Sequence, residues 1–314
     1  MSSPVKSMGQ DLSRPRIIPG AIGFCEKKRF AMRSSDFAVF HEGALEADEI
    51  RNSLLLSIIG RLRAQRRQGE IKTWTLGGPG ICAAQTPGYP IVLGNLSRAE
   101  CHAFAEAMGK SDFPGVVGAD DTALWFVERA RELGVEFSAS IPQEIQALRM
   151  PPQAPSASGS PRQLSLEDFG LLRAWTHAFI REAVPSDPVP SDDALMTDLR
   201  SRRHWLWVLE DRPVSMAAIT RRTRRAGSIS SVYTPPEHRN RGFGAAITAI
   251  VAREIFDEGR GAACLYADLR NPASNRCYAK LGFEAVCKSW LVIRSKKQGP
   301  ECPVSPKDVP TPAD

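Results

Sequence analysis

Residues 239–244 read Arg-Asn-Arg-Gly-Phe-Gly, two arginines and two glycines at the point where a strand pattern gives way to a helix pattern. Ile229, Val232 and Tyr233 suit a strand, and Pro235 and Pro236 end it. From Ala245 onward Ile247, Ile250, Val251 and Ile255 recur on one helical face. A strand handed to a helix in this way aims backbone N–H groups that lack intrahelical partners, at the positive end of the helix dipole, toward one spot. Glycine at 242 and 244 lets an anion such as a diphosphate approach the backbone, and it permits dihedrals that other residues resist. The chemistry available at such a junction is anion binding. Two glycines also serve a plain tight turn, so the residues downstream have to separate the two readings.

After the helix pattern closes at Gly259, Ala263 to Leu269 reads as a buried strand. It is followed by Asn271-Pro-Ala-Ser-Asn275-Arg-Cys-Tyr278-Ala-Lys-Leu-Gly282-Phe283. The Arg-x-x-Gly-x-Gly turn, then an Asn, a Tyr seven residues on and a Gly-Phe, in that order and spacing, resemble the GNAT superfamily of acyl-CoA N-acyltransferases over residues 160–296. The resemblance implies that Arg239, Asn240, Arg241, Gly242, Phe243 and Gly244 cradle the pyrophosphate of acetyl-CoA. It implies that Val232, Tyr233 and Thr234, on a strand splayed from its neighbour, pair through their backbone with the pantetheine arm and offer an N–H near the thioester carbonyl. It places Tyr278 close to the CoA sulfur. A phenol with a reference pKa of about 10 is protonated at neutral pH and can donate to a departing thiolate; the other role open to this ring is core packing. Asn275 lies one helical turn before Tyr278, so it and Asn271 can face the cofactor arm. Helix capping is the competing role, strongest for Asn271 before Pro272. Of Arg239 and Arg241, either can be a solvated turn arginine.

Acyl transfer from a thioester to an amine needs an oriented thioester, a neutral amine, a stabilised oxyanion and a proton for the thiolate. The strand Ser228–Thr234 lacks the glutamate that many members of the superfamily use as a base. Glu237, His238, a water chain through Ser230 or Ser231, or an acceptor already deprotonated in bulk remain. Cys277 and Tyr278 are adjacent, and adjacent helical positions diverge by about 100°, which favours direct transfer in a ternary complex over a ping-pong cysteine. The expected function is an acetyl-CoA-dependent N-acetyltransferase acting on a primary amine. The alternative is a non-catalytic acyl-CoA sensor that keeps the cradle and signals through a partner. The run Arg221-Arg222-Thr-Arg224-Arg225 reads as a solvated hairpin tip before it reads as a grip for an acidic substrate or the CoA 3′-phosphate.

At 314 residues the chain exceeds one such domain. Against 35 Asp and Glu stand 41 Lys and Arg, a net charge of +6, which suits an anionic cofactor and falls short of a nucleic-acid signature. Seven scattered cysteines without a C-x-x-C pair suggest neither a disulfide framework nor a zinc site, and the five histidines show no metal spacing. No apolar run approaches a bilayer span, and the polar N-terminus carries no signal-peptide core. The expectation is a cytoplasmic protein with a small-molecule amine as partner, and no metal, membrane or nucleic acid.

The expected fold class is α/β, a mixed, mostly antiparallel sheet flanked by helices (the GNAT fold), present as two tandem GNAT-like domains. The expected layout is a disordered extension over 1–35, a degenerate domain without a CoA cradle over 36–150, a Pro/Ser/Ala linker with nothing to bury over 151–161, the catalytic domain over 162–296 and a disordered tail over 297–314. The duplication rests on Trp74 to Thr86, which can be laid on Trp207 to Thr220 with one gap, sharing Trp, Leu, Ala-Ala and Thr. At its own strand-to-helix junction the first copy reads Gly94-Asn-Leu-Ser97-Arg-Ala-Glu100, a capping box without Gly-x-Gly. Two short strands, near 135–140 and 145–150, are expected to close that copy.

Overall fold

The alternation of apolar strands with amphipathic helices resolves, in a computed structural model that describes residues 33–64, 71–108, 111–154 and 156–295, into nineteen elements. The first half holds α1 (Ser34–Glu46), α2 (Ser53–Arg63), β1 (Lys72–Thr75), β2 (Cys82–Gln85), β3 (Ile91–Leu93), α3 (Arg98–Met108), β4 (Gly115–Ala119), α4 (Thr122–Glu132) and β5 (Phe137–Leu148). The second holds β6 (Ser160–Gln163), α5 (Phe169–Ala183), α6 (Asp192–Arg200), β7 (His204–Leu209), β8 (Arg212–Arg222), β9 (Ala226–Tyr233), α7 (Phe243–Asp257), β10 (Ala262–Asp268), α8 (Pro272–Lys280) and β11 (Glu284–Arg294). The extension expected over 1–35 lies outside the described residues up to residue 32, and the tail expected over 297–314 lies wholly outside them.

All eleven strands form one sheet in the order β1-β2-β3-β4-β11-β5-β10-β9-β8-β7-β6. Outward from the central β11–β5 pair the order is the same in both directions. A strand (β4 or β10) is followed by a parallel neighbour (β3 or β9), and then by an antiparallel hairpin (β2–β1 or β8–β7), with β6 added at one edge. The hairpins carrying Trp74 and Trp207 thus hold symmetric places, the arrangement of a duplicated unit. Each half has passed its last strand into the other. β11 pairs with β4 from Ser289↔Ala119 to Ile293↔Gly115, and β5 pairs with β10 from Ala263↔Leu148 to Asp268↔Gln143. The cores follow the strands: Val292 of β11 is buried with Ile91, Phe104 and Phe126, and Leu148 of β5 with Ile247, Val251 and Leu265.

β5 is one strand of 12 residues where two were expected. The strand runs unbroken through Pro142, although a proline cannot donate to a ladder. The register with β10 ends at Gln143, and beyond it Pro142 only accepts, its carbonyl taking the Leu269 N–H at 3.0 Å, so a missing N–H is tolerated there.

The segment between β5 and β6 is tied down, contrary to a linker with nothing to bury. Pro152 is buried and its carbonyl accepts from Arg253 Nε at 3.0 Å, while the Ser158 carbonyl accepts from Trp207 Nε1 at 2.9 Å. The arginine-rich hairpin tip is likewise engaged. Arg222 meets Glu258 at 2.6 Å, and Arg225 meets the buried Glu49, which follows α1, at 3.0 Å. Glu49 also accepts from the Thr223 hydroxyl and from the N–H groups of Arg225 and Ala226. Burial alone would raise the Glu49 carboxyl, but these hydrogen bonds outweigh it and hold it below the usual range.

His41 is fully buried, with Nδ1 accepting from the Gly80 N–H at 3.0 Å, so the proton sits on Nε2, 2.9 Å from the Thr75 hydroxyl. Burial lowers its pKa to about 4. The unfolded chain therefore takes up a proton near pH 6.5 that the native state refuses until about pH 4, so stability is full above 6.5 and falls across that window. The expected loss from this residue is about 3 kcal/mol between pH 7 and 4. Urea unfolding at the two pH values, in the wild type and in His41→Gln, checks it: the variant should lose less on acidification.

The five cysteines among the described residues are all free, and no group of three or more His, Cys, Asp or Glu there is placed to hold a metal. No described helix is long and apolar enough to cross a membrane.

Candidate functional site

β9 and β10 run parallel but share only three register pairs, Ala262↔Ala226, Ala263↔Gly227 and Cys264↔Ser228. β9 continues to Tyr233 and β10 to Asp268, so past Ser228 the two edges diverge. The cause is local. Ser231 has φ +53°, and the β8 register passes from Ala218↔Ser230 to Met216↔Tyr233, so that Ser231 and Val232 together face Ala217. This bulge bends β9 away from β10 and leaves the peptide groups of 229–233 on that side outside any ladder. Alternation sends the Val232 side chain toward the α7 core and the Tyr233 ring onto Trp175 of α5, at 5.9 Å between centroids. Ser215, fully buried, fastens the end of the strand: its hydroxyl donates to the Tyr233 carbonyl at 3.1 Å and lies 2.8 Å from the Thr234 hydroxyl.

The chain then makes a single helical turn at Pro236–His238 and reverses through Asn240 (φ +60°) and Gly242 (φ +83°) into α7. The first bond of α7 is donated by Ala246 to the Gly242 carbonyl, so the N–H groups of Phe243, Gly244 and Ala245 precede it and have no intrahelical acceptor. The two glycines differ in cause. Gly242 needs its positive φ. Gly244 does not, and a Cβ built there would meet only the Thr234 hydroxyl, at 3.5 Å. No protein atom requires glycine at 244; the open space before three free N–H groups does, if an anion lies there. That arrangement fits a pyrophosphate. The Phe243 side chain is buried in the core and anchors the turn.

The two arginines of the turn part company. Arg239 Nε donates to the Thr234 carbonyl at 2.9 Å and Nη2 to Glu182 of α5 at 2.6 Å, so this guanidinium braces the loop. Arg241 stacks over the Phe243 ring, 4.9 Å from its centroid, and has no carboxylate partner among the described residues.

α8 carries the remaining candidates. Asn271 caps it, Oδ1 accepting from the Ser274 N–H at 3.2 Å, which is the capping role. Asn275 donates Nδ2 to the Asp268 carbonyl at 3.1 Å and fixes the end of β10, while its Oδ1 is buried without a partner. Tyr278 is partly buried, its ring 5.9 Å from that of Phe283 and against the α7 core. Burial and the neighbouring Cys277 push its hydroxyl well above the usual tyrosine range, with Ser274 pulling slightly the other way, so the phenol keeps its proton. Burial raises Cys277 to about 11, which removes it as a thiolate. Of the candidate bases, His238 has a buried Nδ1 with no partner. Ser215 and Glu182 escaped the sequence reading because nothing local marks a serine or glutamate whose partner lies 18 or 57 residues away.

The matching junction of the first half is closed. Ser97 and Glu100 cap α3 reciprocally, at 2.7 Å from the Ser97 N–H to Glu100 Oε2 and 3.4 Å from the Glu100 N–H to the Ser97 hydroxyl. A Cβ at Gly94 would strike the Gly80 and Cys82 carbonyls. What remains between β3, β4 and α2 is a cavity of about 10 Å³ lined by Leu55, Val92 and Val117, room for about one water.

Residues 208–292 match the FR47-like protein family. Among solved structures, a Drosophila protein superposes with TM-score 0.62 at 14% identity, covering 83% of this chain and 97% of that one. A putative GNAT-family acetyltransferase of Novosphingobium aromaticivorans gives 0.51 at 16%, with 78% and 97% covered, and a GCN5-related N-acetyltransferase of Kribbella flavida 0.52 at 17%, with 77% and 96%. Each covers more than three quarters of this chain, so the likeness of fold takes in both halves. No curated protein matches the chain.

Proposed function

From a chain with the GNAT fold and an FR47-like segment in its second half, we propose an N-acetyltransferase that moves an acetyl group from acetyl-CoA to a primary amine by direct attack in a ternary complex. The observation that carries this reading is Gly244, open on its Cβ side, beside three free N–H groups and at the mouth of the gap between β9 and β10.

The backbone of Phe243, Gly244 and Ala245 would hold the pyrophosphate, with Arg241 adding charge. The free edge of β9 at Val232, Tyr233 and Thr234 would align the pantetheine arm, and an N–H of that edge would face the thioester carbonyl as charge develops on its oxygen. As the amine nitrogen bonds to the carbonyl carbon and the carbon–sulfur bond breaks, Tyr278 would give its proton to sulfur. His238 or water at Ser230 and Ser231 would take the proton from the amine.

Thiol release from acetyl-CoA, measured with a panel of polyamines, aminoglycosides, amino acids and peptide N-termini, tests the proposal. Release that depends on the amine supports transfer. Saturable acetyl-CoA binding without release for any member would leave the acyl-CoA sensor.

A further inference from the structure

Ser215 of β8 and Thr234 meet at the end of β9, just ahead of the turn that carries the cradle. The register sets Met216 opposite Tyr233, so one step further Ser215 stands opposite Thr234. Ala217 and Ile219 lie in the α7 core, and alternation turns Ser215 to the same face. Its side chain is fully buried, where an unbonded hydroxyl is costly, while Ala217 and Ala218 show that this strand packs without one. Packing therefore does not call for serine at 215. Its partners do: the Tyr233 carbonyl at 3.1 Å and the Thr234 hydroxyl at 2.8 Å.

Thr234 is fixed on its main chain as well. Its carbonyl accepts from Arg239 Nε at 2.9 Å, and Arg239 is itself held by Glu182 at 2.6 Å. Its hydroxyl, 2.8 Å from that of Ser215, is 3.5 Å from the place that a Cβ on Gly244 would take. That place belongs to the open space before the N–H groups of Phe243, Gly244 and Ala245. An anion accepting from those groups comes to lie against the Thr234 oxygen.

Counting protons decides what the two hydroxyls do there, since each has one to give. In this arrangement Ser215 gives its proton to the Tyr233 carbonyl, so the bond between the hydroxyls takes the proton of Thr234. The Thr234 oxygen then meets the open space with lone pairs alone, and these repel a pyrophosphate. Turning both protons one step relieves the conflict. Thr234 donates to the anion, and Ser215 moves from the Tyr233 carbonyl, the longer of its two contacts, to the Thr234 oxygen. A bond between neutral groups is exchanged for a charge-assisted one, which is shorter and stronger.

We propose that the Thr234 hydroxyl is a side-chain donor of the cradle to the pyrophosphate, and that Ser215 is the residue that positions it. The inference deepens the cradle reading and rests on it.

Full-length protein is titrated calorimetrically with coenzyme A in the wild type, Thr234→Val, Thr234→Ser, Ser215→Ala and the double variant Thr234→Val with Ser215→Ala. Thr234→Val keeps the shape and deletes the donor, so affinity should fall by about tenfold, the scale of one hydrogen bond to a charged group. Thr234→Ser should stay within about twofold of the wild type, because it keeps the hydroxyl. Ser215→Ala should cost about threefold, the scale of one neutral hydrogen bond. It should cost nothing further once residue 234 is valine, because a residue that acts through the hydroxyl has no effect where the hydroxyl is gone. A merely structural role for Ser215 would instead lower affinity by the same factor in both backgrounds. Undiminished affinity in Thr234→Val, a Thr234→Ser as weak as the valine variant, or additive losses in the double variant overturns the proposal. Gly244→Glu separates it from the cradle itself. Binding lost there but kept in Thr234→Val leaves the cradle standing and removes the hydroxyl, whereas a wild type that binds no coenzyme A, or binding kept in Gly244→Glu, removes both.

Discussion

Gly244→Glu should weaken acetyl-CoA binding by on the order of 10³ while leaving thermal unfolding within a degree or two of the wild type. Three N–H groups precede the first bond of α7, and three hydrogen bonds to a charged group at about 1.5 kcal/mol each amount to roughly that factor. The new carboxylate would occupy the position of the anion and accept from the same donors. The fold should tolerate it. Gly244 has no left-handed φ, its Cβ would meet only the Thr234 hydroxyl at 3.5 Å, and an acidic residue in the first turn favours a helix. Gly242 is the poorer probe, because φ +83° makes any side chain there a strain on the backbone, and lost binding would be confounded with lost structure. Calorimetry with full-length protein reads the affinity, and undiminished binding in Gly244→Glu would remove the cradle from the function.

How far the sequence foretells this structure depends on whether a feature leaves a local mark. The strand-to-helix turn at 239–244 was legible because the reversal leaves a local mark, a glycine at 242 with φ +83° just ahead of α7. The capping box of Ser97 and Glu100 was legible because its two partners lie three residues apart. The splay of β9 was expected only through the family resemblance; what produces it, a serine in a left-handed conformation at Ser231, has no sequence signature. The exchange of β5 and β11 was invisible, because in a duplicated unit a strand carries the same alternation whether it pairs at home or in the other copy. The boundary at 151–161 therefore marks where the chain crosses over, with the sheet continuous on either side. The arginine run shows the converse limit. Its four arginines split into three held by Glu258, Glu46 and Glu49 and one, Arg221, whose Nε is buried, and that difference is decided by acids 36 to 178 positions away in sequence.

Tyr278→Phe should lower kcat by roughly 10², the scale on which a positioned general acid contributes, with acetyl-CoA affinity and stability little changed. The packing argument comes first. The ring meets Phe283 and the α7 core, and phenylalanine preserves both contacts, so the fold has little to lose. The proton argument follows. Burial and Cys277 hold the phenol well above the ordinary tyrosine range, so the wild-type acid stays protonated through pH 10 and should impose no alkaline fall in rate below that. A group that donates only as the carbon–sulfur bond breaks strengthens its interaction in the transition state, so its removal should appear in kcat and leave KM almost untouched. Three measurements separate the roles: kcat against pH, acetyl-CoA affinity by calorimetry, and thermal unfolding. An undiminished kcat would make Tyr278 a packing residue and return the proton to water. A loss of affinity at constant kcat would assign the hydroxyl to ground-state binding of the cofactor arm, and a lowered unfolding temperature would place its value in the bond to Ser274 rather than in catalysis.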